Sequence, residues 1–90
     1  MVSQSYLQVT YRAGRPLAAY YYLPRRPGQK SHRSREAALG LIVDYARNGQ
    51  PIGIEITAPG RVSLTALNRV LARLGQPRLG PEDLAPLMAA

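Results

Sequence analysis

Two carboxylates, Asp44 and Glu55, stand in apolar segments on either side of the dipeptide Asn48-Gly49. Asn-Gly between apolar runs is the strongest short-range signal for a β-hairpin with a two-residue turn. Such a hairpin places both carboxylates diagonally on one face, close enough to meet one cation. The functional interpretation is a metal or substrate-cation site, or an acid–base pair. A solvated sheet face, or an ion pair with a neighbouring arginine, explains the same residues and is preferred, so no metal, cofactor or catalytic residue is assigned.

A basic segment is the second candidate, running from position 25 to position 35. It contains five cations and no acid: Arg25, Arg26, Lys30, Arg33 and Arg35. A flexible basic loop binds phosphates without a fixed geometry, whereas most charge runs are simply solvated. His32, the only histidine, lies in the same loop and is expected to be solvent-exposed. A small ribonuclease that uses arginine, tyrosine and His32 is a further alternative.

Tyrosines form the third candidate, because Tyr20 and Tyr22 alternate onto one face of a predicted strand. Aromatic side chains on an open sheet beside arginine can stack nucleic-acid bases. They can equally form a protein interface, where tyrosine and arginine are enriched, or pack across strands. No aromatic motif typical of RNA-binding sheets accompanies them, which favours an interface combined with packing.

Composition limits the classes of protein to which the chain can belong. Its 90 residues predict one domain, and the net charge of +7 favours acidic partners. The absence of cysteine excludes disulfides, thiol nucleophiles and cysteine-ligated metals, and a single histidine excludes a multi-histidine site within one chain. No apolar run is long enough to span a bilayer, and no secretory signal is recognised, so a soluble cytoplasmic protein is expected.

Period-2 alternation predicts strands over residues 6–11, 17–23, 41–47 and 50–56. A two-residue type I′ turn at Asn48-Gly49 pairs residue 47 with 50, 45 with 52, 43 with 54 and 41 with 56. A short extended piece over residues 35–37 is signalled only weakly. Earlier in the chain, Gly14 supplies a turn, and Pro16 is expected to end pairing.

After residue 60 the apolar period changes to that of a helix. Ser63 is a suitable N-cap, and Gly75 is expected to end the helix after Leu74. Pro81 begins a short final helix. The predicted fold is therefore α+β: an antiparallel four-stranded β-meander (residues 6–58) with one face covered by a C-terminal helix plus a short final helix (residues 59–90), all within the single domain 1–90.

The helix should bury its leucines on one face of the sheet. The apolar stripe of the helix consists of Leu64, Leu67, Leu71 and Leu74. The sheet residues predicted to face it are Leu7, Val9, Leu17, Ala19, Tyr21, Val43, Ile54 and Ile56. One helix covers only part of a sheet, so the exposed aromatic face and the last strand predict self-association, by strand addition or by face packing. A homodimer that buries Tyr20 or Tyr22 is expected.

The second hairpin resembles the core motif of domain-of-unknown-function family 2283. Asp44, Gly49 and the run 53–56 (Gly-Ile-Glu-Ile) match the family's pattern, whereas Ala46 replaces its second aspartate. The resemblance spans about residues 6–58. It implies a small, mostly antiparallel β protein of bacterial type with no known activity, and a partner-binding role such as that of an antitoxin. The leading function is thus a non-enzymatic, self-associating interaction protein; the alternative is a nucleic-acid-binding protein that uses the basic loop and the tyrosine face.

Overall fold

A computed structural model describes residues 4–88, which form an α+β fold around one antiparallel sheet. The sheet has five strands rather than the predicted four. They are β1 (Tyr6–Arg12), β2 (Arg15–Tyr22), β3 (Arg33–Ala38), β4 (Leu41–Tyr45) and β5 (Pro51–Ile56). The additional strand, β3, was signalled only weakly because it contains three charged residues and no alternation of apolar with polar side chains.

The spatial order of the strands is β1-β2-β5-β4-β3, so the prediction of a simple meander is wrong. β2 pairs with β5 instead of with the next strand in the chain. Ile52, Ile54 and Ile56 are fully buried, and a strand this apolar is most stable at the centre of the sheet. The charged strand β3 takes an edge, where its polar side chains remain in solvent.

The two-residue type I′ turn occurs at the first hairpin, whereas the sequence predicts it at Asn48-Gly49 in the second. Ala13 and Gly14 both have positive φ and connect the paired residues Arg12 and Arg15, as a two-residue type I′ turn requires. At the second hairpin only Gly49 has positive φ, and the Ala46 N–H donates to the Gln50 carbonyl. This is a longer loop with a bulge, so residue 45 pairs with 51 rather than with 52.

Beyond that bulge the predicted register of the second hairpin is confirmed. Leu41 pairs with Ile56 and Val43 with Ile54. A second irregularity, between Thr10 and Tyr11, shifts the β1–β2 register, so that Pro16 stays within β2 instead of ending the pairing. The predicted placement of Leu17 in the core is wrong, because Leu17 is the extra residue at this bulge and is 52% exposed.

The C-terminal third covers one face of the sheet, called here the inner face. A 3₁₀ turn (Pro59–Arg61) leads to helix α1 (Leu64–Arg73), and a second 3₁₀ turn (Pro81–Leu84) leads to the short helix α2 (Ala85–Met88). The predicted cap is confirmed, since the Ser63 hydroxyl accepts a hydrogen bond from the Ala66 N–H at 3.0 Å. Gly75 follows the helix with φ +70°, as predicted.

The core lies between the inner face and these helices. Leu67 and Leu71 pack with Ala19, Tyr21 and the inner side chains of β4 and β5, as predicted. Leu84 and Leu87 are also buried there, so the final segment contributes to the core. Within residues 4–88, no helix has the length and apolar character needed to cross a membrane. The opposite side of the sheet, the outer face, carries the candidate acids and tyrosines.

Candidate functional site

The carboxylate of Asp44 is the centre of a hydrogen-bond network on the outer face. The Tyr20 hydroxyl donates to its Oδ2 at 2.7 Å. The Ser34 hydroxyl donates to its Oδ1. Because Tyr20 is on β2, Asp44 on β4 and Ser34 on β3, the network ties together strands that are not all neighbours in the sheet. Charge-assisted hydrogen bonds of this kind are stronger than those between neutral groups.

Gly53 leaves the space that the side chain of Tyr20 needs in order to reach Asp44. It lies on β5, between Tyr22 of β2 and Asp44 of β4, and it is buried. A Cβ atom added to Gly53 would lie 2.0 Å from the Tyr20 hydroxyl oxygen and 2.3 Å from its ring. The ring of Tyr20 therefore lies directly over the backbone of β5, and only glycine leaves room for it.

The environment of Tyr20 keeps its hydroxyl protonated. Burial raises the pKa of Tyr20 above its ordinary value, and the hydrogen bond to Asp44 and the charge of that carboxylate raise the pKa further. The positive charge of Arg25 acts in the opposite direction but is a smaller effect. A hydroxyl that holds its proton this firmly is a hydrogen-bond donor, and it is poorly suited to act as a base.

Glu55 lies on the same outer face, diagonal to Asp44, as predicted. It pairs with Tyr20 of β2 and with Ile42 of β4, and its side chain is exposed. Among residues 4–88, no group of three or more histidine, cysteine or acidic residues is arranged to hold a metal ion. Asp44 accepts hydrogen bonds from the hydroxyls of Tyr20 and Ser34, two partners that were not predicted from the sequence.

A row of aromatic rings follows the same face toward β1. Tyr6 stacks on Tyr22, with ring centroids 4.4 Å apart, and Tyr20 meets Tyr22 edge-on at 4.6 Å. Arg25 lies over the ring of Tyr22, 5.1 Å from its centroid. The Tyr22 hydroxyl donates to the Gln8 side-chain oxygen at 3.0 Å. These contacts hold the tyrosines against each other, leaving Tyr6 as the most exposed ring of the row.

The five cations of the predicted basic loop do not gather around the tyrosines. Arg25 contacts Tyr22, whereas Arg26 and Lys30 lie in the exposed segment between β2 and β3. Arg33 and Arg35 belong to β3, so the predicted loop is in part a strand. They pair with Tyr45 and with the core residue Val43, which places both arginines toward the inner face.

Sequence reasoning missed two groups on which the network depends. Ser34 lies in β3, the strand that the hydrophobic pattern signals only weakly. Gly53 was noted only as part of a family motif. A glycine within an apolar strand is the available signal, because such a position often marks the close approach of another group.

Comparison with protein-family models, with curated proteins and with solved structures gave no match. The resemblance of residues 6–58 to domain-of-unknown-function family 2283 therefore stays a prediction.

Proposed function

We propose that this chain is a non-enzymatic interaction protein that works as a homodimer, joined through the edge strand β1. The contrast between the two edges of the sheet supports the proposal. β1 has one charged residue among seven, whereas β3 has three among six. Edge strands are normally protected from further pairing by charge, by proline or by a short length. β1 has seven residues and no proline, and its single charge is at its last residue, Arg12.

The residues of β1 suit pairing with a second copy. Leu7 and Val9 are partly buried on the inner face, while Tyr6 and Tyr11 near the two ends of the strand are about half exposed. Antiparallel pairing about a two-fold axis at Val9 would place Tyr6 of one copy opposite Arg12 of the other. Arginine beside an aromatic ring gains a cation–π interaction, and the stack of Tyr6 on Tyr22 already holds that ring in place.

The hydrogen bonding of the outer face supports binding over catalysis. Both oxygens of Asp44 accept hydrogen bonds from hydroxyls on other strands, Tyr20 on β2 and Ser34 on β3, so this acid is used to hold the sheet together. Side-by-side pairing through β1 differs from the expected dimer that buries Tyr20 or Tyr22, because it would leave the outer faces of both copies open to a protein partner. An antitoxin-like role, which the family resemblance implies, would use such a surface.

The mass of the protein in solution tests this proposal. Light scattering at micromolar concentration should give about twice the chain mass of 9.9 kDa. In the double variant Gln8→Lys/Thr10→Lys, the new lysines face each other across the proposed two-fold, and like charges directly opposite destabilise strand pairing. This variant should return to the mass of one chain.

A matched control adds the same charge elsewhere. Thr65→Lys/Ala72→Lys places two lysines on exposed positions of α1 and should keep the dimer. Thermal unfolding of both doubles checks that each remains folded. A wild-type protein that stays at 9.9 kDa at high concentration would overturn the proposal, as would an equal loss of dimer in the two doubles.

A further inference from the structure

An open concavity of about 550 Å³ lies where the segment before β3 meets the turn between β4 and β5. Residues 28–32 form one wall and residues 46–48 the other. Lys30 and Arg47 are positively charged, His32 adds an imidazole, and none of the lining residues is acidic. Ser31 and Asn48 add neutral hydrogen-bonding groups. The concavity therefore offers cations and polar groups to an anion.

Hydrogen bonds hold together the two chain segments that carry the walls of the concavity. The Gln29 side-chain amide donates to Gln50 Oε1 at 3.2 Å. The side-chain amide of Gln50 in turn donates to the Pro24 carbonyl at 3.2 Å. At the other end of the segment, the His32 N–H donates to the Tyr45 carbonyl at 2.8 Å. The shape thus exists before any ligand binds, which lowers the ordering cost of binding.

Further cations continue from the concavity along the inner side of β3. Arg33 and Arg35 lie there by strand alternation, and the Arg73 guanidinium reaches the Ala37 carbonyl at 3.4 Å. We call this set the basic track: Lys30, Arg33, Arg35, Arg47 and Arg73. The same alternation places Glu36 on the outer face with Asp44 and Glu55, so that face holds three of the five acids of the chain.

We propose that the concavity holds a phosphate group of a single-stranded nucleic acid and that the basic track binds the neighbouring phosphates. A track that extends beyond the concavity suits a polymer of phosphates better than an isolated nucleotide. The cations follow one strand edge, which suits one backbone rather than the two separated backbones of a duplex. Arginine binds phosphate oxygens in bidentate fashion. This site is at the opposite edge of the sheet from β1, so it is independent of the proposed dimer.

Fluorescence anisotropy with a labelled, mixed-sequence single-stranded DNA oligonucleotide tests the site. Lys30→Gln/Arg47→Gln removes two charges from the concavity, and both side chains are exposed, so the core stays intact. Affinity should fall to a similar extent for different base sequences. The slope of log affinity against log salt concentration should decrease by about 0.7 for each lost phosphate contact.

The matched control is Arg15→Gln/Arg78→Gln, which removes the same charge from exposed positions outside the concavity. It should retain more of the affinity and most of the salt slope. Arg33→Gln is the second test variant; it keeps the concavity and should lower the slope by itself. Equal losses in the two doubles would overturn the site, because they would show that net charge alone attracts the oligonucleotide. Binding of inorganic polyphosphate without binding of the oligonucleotide would overturn nucleic acid as the ligand.

Discussion

The two faces of this sheet are stabilised in different ways. On the inner face Val43, Ile54 and Ile56 have no exposed surface, and packing against the helices holds them. On the outer face the strands are joined by the hydroxyls of Tyr20 and Ser34 on Asp44 and by stacked tyrosines. Burial of apolar surface is the dominant favourable term in folding. The packing of the inner face should therefore determine stability, while the outer face and the two edges of the sheet are open to binding.

The largest loss of stability is expected for Ile54→Ala on the inner face. Truncation of a fully buried aliphatic side chain costs about 2–5 kcal/mol, because a cavity remains. Leu17→Ala is the control, since Leu17 is half exposed, and it should change the free energy of unfolding by about 0.5 kcal/mol or less. Denaturant unfolding measures both. Similar losses in the two variants would contradict the assignment of the faces.

The next largest effect is expected at Gly53, beneath Tyr20 on the outer face. Gly53→Ala should cost about 1–3 kcal/mol, because the new methyl group would overlap the tyrosine ring. In a Tyr20→Ala background the same substitution should cost much less. A double-mutant cycle by denaturant unfolding should give a coupling of about 0.5–3 kcal/mol between the two sites. No coupling would show that Tyr20 does not lie over Gly53 in solution.

The two faces also differ in how much of their structure can be predicted from the sequence alone. The inner set at Val43 and Ile54 and the cap at Ser63 follow from local periodicity and capping chemistry, which act within a few residues. The contact of Tyr20 with Asp44 depends on β2 lying beside β5, a choice made between distant segments. The role of Ser34 could not be predicted for the same reason, since β3 becomes a strand only by pairing with β4.

A smaller effect on the free energy of unfolding is expected at alkaline pH. The folded state holds the proton of Tyr20 more firmly than the unfolded state, because burial and Asp44 raise its pKa. This stabilisation is complete below the unfolded pKa of about 10 and is lost as pH rises above it. The free energy of unfolding of the wild type should thus fall more steeply above pH 10 than that of Tyr20→Phe. Parallel pH profiles for the two proteins would contradict the network.

The central claim is that a second copy pairs with β1. The most direct test compares the protection of β1 and β3 from hydrogen exchange. Backbone hydrogen exchange can be followed residue by residue at low and high protein concentration. The account predicts that protection in β1, Tyr6–Arg12, rises with concentration, while protection in β3, Arg33–Ala38, does not change. Protection in β1 that is independent of concentration, or that rises equally in β3, would contradict it.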